Sequence, residues 1–214
     1  MVLPRPRATL WLLALTTLAW LVAVFLGFSD SVVTAAGFVP ARLEGYEVAH
    51  ALPVWLTPLS ATFVHSGLLH LGFNMLMLGY CGRFAEYALG ARGVLVLYGV
   101  GAYVAALFQY LWASHALIPM VGASGAISAV VGAYVLLFGQ RRRDVAMWQH
   151  IARLAAAWIF VQLLVGVATI GSGMSIAIAA HIGGFVAGLL LVSPLISWRE
   201  RHLRRHGYQD FRER

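Results

Sequence analysis

Six long apolar stretches dominate the sequence and limit the folds that are open to it. They lie at about 8–28, 66–88, 93–113, 123–139, 151–171 and 175–197. Each is long enough, or nearly so, to cross a hydrocarbon core about 30 Å thick as a helix. Only 11% of the residues are charged, whereas a soluble domain carries about a quarter. The sequence therefore predicts an all-α integral membrane protein, with a six-helix membrane domain over residues 1–197 and a basic cytoplasmic tail over 198–214.

The charges between these stretches predict how the helices are oriented. Arginine concentrates before the first stretch, after the second and fourth, and in the tail, whereas segment 29–60 has three acidic residues and one arginine. Basic residues favour the cytoplasmic side, so six spans with both termini in the cytoplasm are predicted. The first stretch follows Arg5 and Arg7 as a signal peptide would, but its length favours a retained helix. The single cysteine, Cys81, excludes an internal disulfide, and the absence of lysine excludes a Ser–Lys dyad.

Four polar side chains interrupt the apolar stretches at one predicted depth. Ser124 begins the fourth stretch, His70 and Asn74 lie in the first turns of the second, and His181 lies near the start of the sixth. With the predicted orientation, all four lie in the outer half of the bilayer. A polar residue in hydrocarbon is energetically costly and by default indicates a functional site. Small residues recur at helical spacing beside Ser124 and His181, so their two helices are expected to pack closely.

These four residues supply the groups that acyl transfer requires. A serine hydroxyl becomes a nucleophile when a neighbouring base removes its proton, which neutral imidazole can do. Ser124 and His181 are the candidates for these two roles. The oxyanion needs hydrogen-bond donors, and the candidates are the backbone N–H of Ser124 at a helix start and the side chains of His70 and Asn74. Because no Asp or Glu lies in the outer halves of these helices, a Ser–His dyad is predicted.

Other interpretations of the same residues stay open at this point. A serine in a stripe of small residues usually serves packing, and Asn74 could join two helices by a hydrogen bond. His65, His70 and His181 could together hold zinc, although the His-Glu-x-x-His motif of many zinc hydrolases is missing. A small transporter could use the intramembrane histidines as a polar path, but the sequence has neither an inverted repeat nor an intramembrane carboxylate.

Three separated blocks of the sequence together carry a family pattern. They are Phe63–Met75 with Gly82, Arg83 and Glu86; Gly122–Ala126; and Ala180–Gly184 with Gly188. In order, spacing and helix assignment they resemble the rhomboid family of intramembrane serine proteases, over roughly residues 8–197. The resemblance implies that Ser124 is the nucleophile and His181 the general base. It also implies an oxyanion hole formed by His70, Asn74 and Ser124.

The resemblance has further implications for the site and its substrates. Four residues would shape the site without reacting: His65, Gly122, Gly125 and Gly184. Arg83 and Glu86 would support the cytoplasmic end of the second helix. Substrates would be single-pass membrane proteins cut near the outer face, entering beside the fifth helix and the loop that follows it. No metal, cofactor or nucleic acid is expected, and the oligomeric state is not predicted.

Two positions depart from the family pattern. Many members have Trp-Arg in the first loop, whereas here Trp55 is followed by Leu56. Many carry a tyrosine that stacks on the catalytic histidine, and here that position is Ser128. Three aromatic residues are candidates for replacing this packing: Trp112, Tyr134 and Phe185.

The location and the competing function are also expectations. The compact length and the lack of a eukaryotic targeting signal favour a bacterial cytoplasmic membrane, with the active site opening to the outer side. The competing function is a catalytically silent rhomboid-like protein that binds membrane clients. Such relatives have usually lost the dyad that this sequence retains.

Overall fold

The computed structural model describes residues 5–139 and 178–205, together with 149, 153, 156–158 and 160 between them. Its longer helices are α1 (Arg7–Phe25), α4 (Leu68–Trp112), α5 (Ser124–Gly139) and α6 (Ile178–Arg205). The connection between α1 and α4 contains α2 (Ser29–Ala36), α3 (Thr57–Ser60) and two 3-10 turns, Pro40–Glu44 and Ala61–Phe63. Within the described residues the regular structure is helical, apart from one isolated bridge between Phe38 and Met120. The prediction of an all-α chain is confirmed for these residues.

A break at Gly90 divides α4 into two segments. Gly90 has φ 75° and ψ 166°, a conformation that glycine adopts without steric cost. The last carbonyl groups of a helix have no partner within the helix. Arg199 of α6 binds one of them, because its Nη1 donates to the carbonyl oxygen of Tyr87 at 2.5 Å. The two segments occupy the positions that the sequence predicts for the second and third spans.

Three helices, α1, α4 and α6, are long and apolar enough to cross a membrane, and α5 is a shorter apolar helix. The predicted stretches 8–28, 123–139 and 175–197 correspond to α1, α5 and α6. Helix α6 does not end at 197 but continues to Arg205, with Pro194 inside it. The predicted fifth helix, 151–171, lies mostly outside the described residues; 153, 156–158 and 160 are helical. The number of spans and the cytoplasmic position of the termini stay predictions.

Helix α5 is the most completely buried of the longer helices and packs against both α4 and α6. Five consecutive residues on it, 126–130, are at most 1% exposed. Glycines allow its neighbours to approach closely. A Cβ at Gly101 of α4 would lie 2.5 Å from the Cβ of Ala129, and one at Gly188 of α6 would overlap the carbonyl oxygen of the same alanine. The expected packing of α5 against α6 is therefore present.

Candidate active site

Ser124 is the first residue of α5, and the backbone before it is held in place by the first loop. Phe38 and Met120 exchange two backbone hydrogen bonds of 3.0 and 2.7 Å, and the N–H of Gly122 donates to the carbonyl of Ala61 at 2.9 Å. Gly122 has φ 108°, a left-handed conformation that favours glycine. The first amides of a helix have no acceptor within the helix, so the N–H of Ser124 points out of α5 at its positive end.

Ser124 and His181 are in hydrogen-bond contact. The Nε2 atom of His181 lies 2.7 Å from the Oγ atom of Ser124. His181 is in the first turns of α6 and is 7% exposed. The contact depends on Gly184, one turn later, because a Cβ there would overlap the carbonyl oxygen of Gly125 in α5. The geometry meets the requirement for a nucleophile and its base.

His70 stands against the turn that leads to Ser124. A Cβ at Gly122 would lie 2.5 Å from both the Cε1 and Nε2 atoms of its ring. Its other nitrogen, Nδ1, lies 3.0 Å from the hydroxyl of Ser66. When Ser66 donates this bond, the proton of the neutral ring sits on Nε2, which faces the backbone beside the nucleophile. In that tautomer, His70 is placed to donate a hydrogen bond toward the backbone beside Ser124.

Asn74 is buried one turn after His70 on α4 and is hydrogen-bonded to the His70 backbone. It is 6% exposed, and its amide nitrogen donates to the carbonyl oxygen of His70 at 2.8 Å. In this conformation the amide helps to fix the position of the backbone that carries the His70 ring. The structure thus brings Asn74 next to His70, and its side-chain amide donates within α4 itself.

His65 contacts the backbone of the residue before the nucleophile. Its Nε2 atom accepts a hydrogen bond of 3.4 Å from the N–H of Ala123, and its ring centroid is 4.9 Å from that of His70. Burial, and to a smaller extent the neighbouring His70, lowers the pKa of His65 to about 3. The ring is therefore neutral and can accept the bond. Among the described residues, no three His, Cys, Asp or Glu side chains are placed to hold a metal ion together, so the three-histidine zinc site is not formed.

Ser128 connects α5 to the residues described in the predicted fifth helix. Its hydroxyl donates to the carbonyl oxygen of Ser124 at 2.8 Å and accepts a bond of 3.3 Å from the indole N–H of Trp158. The sequence interpretation did not single out Trp158, and nothing in the pattern around it indicated this contact. Of the candidate aromatic residues, Trp112 is 81% exposed, and Tyr134 packs with Tyr80, toward the other end of α5.

The first loop is anchored to α4 by two tyrosine hydroxyl groups. Tyr103 donates to the carbonyl oxygen of Trp55 at 3.0 Å, and Tyr110 donates to the carboxylate of Glu44 at 2.5 Å. These contacts show how the loop is held in a chain that has Leu56 after the tryptophan.

Glu86 fixes the start of α1 to the middle of α4. Its carboxylate accepts bonds from the N–H of Ala8 at 2.9 Å, the N–H of Thr9 at 2.8 Å and the hydroxyl of Thr9 at 2.7 Å. A carboxylate at a helix start also interacts favourably with the helix dipole. Arg83, one turn earlier, lies over the ring of Phe84, with 4.6 Å from guanidinium carbon to ring centroid.

Comparison with known proteins identifies the family of the chain. The sequence model described as "Rhomboid domain" matches residues 53–198. The chain is 34% identical over 178 residues to "Rhomboid protease GlpG" of Pectobacterium atrosepticum, covering 78% of this chain and 61% of that protein. The protein of the same name from Serratia proteamaculans is 37% identical over 152 residues, or 70% of this chain and 50% of that one. The matched region thus spans about half to three fifths of these curated relatives.

Proposed function

The chain belongs to the rhomboid family, and from that premise we propose that it is an intramembrane serine endopeptidase. The proposed reaction is hydrolysis of peptide bonds in or near the transmembrane segments of single-pass membrane proteins. The observation that carries the proposal is the 2.7 Å separation between Ser124 Oγ and His181 Nε2, within a bundle of apolar helices.

The proposed mechanism starts with transfer of a proton within this pair. His181 Nε2 accepts the hydroxyl proton as Ser124 Oγ attacks the substrate carbonyl carbon. The imidazolium then gives that proton to the leaving amine, and the peptide bond breaks to leave an acyl-enzyme. A water molecule, deprotonated by the same nitrogen, hydrolyses the ester and restores the serine.

The negative charge on the substrate oxygen needs donors that are already in place. The N–H of Ser124 is one candidate, because it lies at the start of α5 and has no acceptor within that helix. The Nε2–H of His70 is the second, because the ring lies against Gly122. Asn74 contributes through the hydrogen bond by which it holds the His70 turn.

The proposed surroundings follow from the charge distribution. We place the protein in a bacterial cytoplasmic membrane, with the end of the bundle that carries Ser124 opening to the outer side. The exposed arginines at the opposite end support this orientation. The substrate would reach the site through the lipid, beside the predicted fifth helix.

The test is cleavage of a single-pass membrane reporter co-expressed with the protein. Wild type should cleave the reporter and react with a fluorophosphonate, and both activities should vanish in Ser124→Ala and His181→Ala. Ser31→Ala, an exposed serine of α2, is the matched control and should behave as wild type. Full cleavage by Ser124→Ala would refute the proposal. A wild-type protein that binds the reporter but neither cuts it nor reacts with the probe would instead be a silent client-binding relative.

A further inference from the structure

Exposed arginine side chains concentrate at the end of the bundle opposite Ser124. Two contacts identify the segments that meet there: Glu86 with Ala8 at the start of α1, and Arg199 of α6 with Tyr87. The start of α1, the middle of α4 and the last turns of α6 therefore lie together. Each of six exposed arginines is close in sequence to one of these contacts. We call them the arginine rim: Arg5, Arg7, Arg83, Arg92, Arg201 and Arg204.

Few carboxylates oppose the positive charge of the rim. In the described parts of these segments the carboxylates are Glu86 and Glu200. Glu86 is 8% exposed and already accepts three hydrogen bonds from the start of α1. At the other end of the bundle, by contrast, the first loop exposes three acidic residues: Asp30, Glu44 and Glu47. With Arg42 as its one arginine, the first loop carries a net negative charge, so the net positive charge of the described residues lies at the rim end.

The rim lies where the exposed surface changes from apolar to charged. Trp11, one turn after Arg7, is 67% exposed, and Trp198, next to Arg199, is 39% exposed. Exposed tryptophan is typical of the level of the lipid headgroups. Arginine stems can lie along apolar surface there while the guanidinium group reaches the headgroups. A positive surface that continues directly into an apolar one fits a phospholipid leaflet better than a nucleic acid.

We propose that the arginine rim binds the phosphate groups of anionic phospholipids in the adjoining leaflet. All 15 basic residues of the chain are arginine. A guanidinium group can bind two phosphate oxygens through parallel N–H donors, whereas an ammonium group acts as a point charge. Each basic residue close to an anionic leaflet strengthens association about fivefold. This binding goes beyond peptide hydrolysis and does not depend on it.

The test measures lipid selectivity in the full chain carrying Ser124→Ala, so that proteolysis does not enter the result. The protein is reconstituted into phosphatidylcholine vesicles that contain phosphatidylglycerol. Energy transfer from its tryptophans to a labelled phosphatidylglycerol is compared with transfer to a labelled phosphatidylcholine. Two double variants are compared on different helices: Arg83→Gln with Arg92→Gln, and Arg201→Gln with Arg204→Gln. The matched controls carry lysine at the same positions.

Each glutamine pair should lower the preference for phosphatidylglycerol at least fivefold relative to wild type. In the wild-type protein, added salt should also lower the preference. The lysine pairs should retain more of the preference than the glutamine pairs. Unchanged preference in both glutamine pairs would overturn the proposal. Displacement of the labelled lipid by RNA or by inorganic phosphate at low concentration would also overturn the proposal, since the arginine rim would then bind a soluble anion. Because the two pairs lie on different helices, the proposal can still be tested with one double variant if the other fails to fold.

Discussion

Replacing Gly122 by alanine tests whether the position of His70 matters for the reaction. A Cβ at this residue would lie 2.5 Å from two atoms of the His70 ring, and ordinary contact begins at about 3.4 Å. The ring would therefore have to move by about 0.9 Å. A misplacement of about 1 Å can cost about 100-fold in rate, and loss of one oxyanion donor costs about 100- to 1,000-fold in kcat. We expect Gly122→Ala to lower kcat about 100-fold.

The assay is cleavage of a purified single-pass reporter in proteoliposomes, with kcat and KM measured separately. Alanine at a positive φ also introduces backbone strain of about 1–3 kcal/mol, so a control must separate strain from the overlap. Gly45 provides it: its φ is 92°, and no atom lies within 4 Å of its Cβ position. Gly45→Ala adds strain without overlap at the site and should leave kcat unchanged.

A double-mutant cycle with His70→Ala decides whether the effect passes through the imidazole ring. If it does, adding Gly122→Ala to His70→Ala should change kcat little, because the displaced ring is already gone. The reasoning would be refuted if Gly122→Ala had the kcat of wild type. It would also be refuted if the reductions in kcat of the two single variants multiplied in the double variant. His70 would then not be positioned by this glycine.

Three further predictions concern packing, the start of α1 and pH. Gly184→Ala should push α6 away from the Gly125 carbonyl and abolish fluorophosphonate labelling, whereas Gly99→Ala, with no atom within 4 Å of its Cβ position, should not. Glu86→Gln should lower the free energy of unfolding by about 1–3 kcal/mol, seen as a lower Tm with unchanged cleavage per folded molecule. Since burial and a neighbouring histidine lower the pKa of His65 to about 3, the unfolded chain binds a proton that the folded one does not. The free energy of unfolding should therefore fall as the pH is lowered from about 6.5 toward 3, and less steeply in His65→Gln.

The longer described helices and the contact between Ser124 and His181 could be predicted from the sequence because both depend on simple patterns. Apolar length indicates the helices that can cross a bilayer, and glycine spacing indicates which faces approach closely. The depth of each polar residue then follows from its distance to a helix end. His70 could be placed by the same argument, and the structure puts its ring beside Gly122.

Other contacts could not be predicted, because they join residues that are far apart in sequence and share no spacing. Trp158 reaches Ser128 by one N–H, and Tyr103 reaches the carbonyl group of Trp55 by one hydroxyl. A single side-chain donor that meets a backbone or hydroxyl oxygen leaves no periodic signal. The hydrogen bond of Asn74 to its own helix depends on a side-chain rotamer, which the sequence does not specify either.

Because no acid lies beside His181 among the described residues, the proposed oxyanion donors become more important. The Nδ1 atom of His181 is buried and has no hydrogen-bond partner among the described residues. In the proposed mechanism, proton transfer from Ser124 would create the imidazolium and the oxyanion together, so the site would stay neutral overall. Two opposite charges about 4 Å apart attract by about 4 kcal/mol at an effective dielectric constant of about 20. The oxyanion can thus take the place of a carboxylate as counter-ion, provided that its own donors hold it near the ring. In the proposed mechanism, His70 and the N–H of Ser124 would therefore stabilise both charges of the intermediate at once.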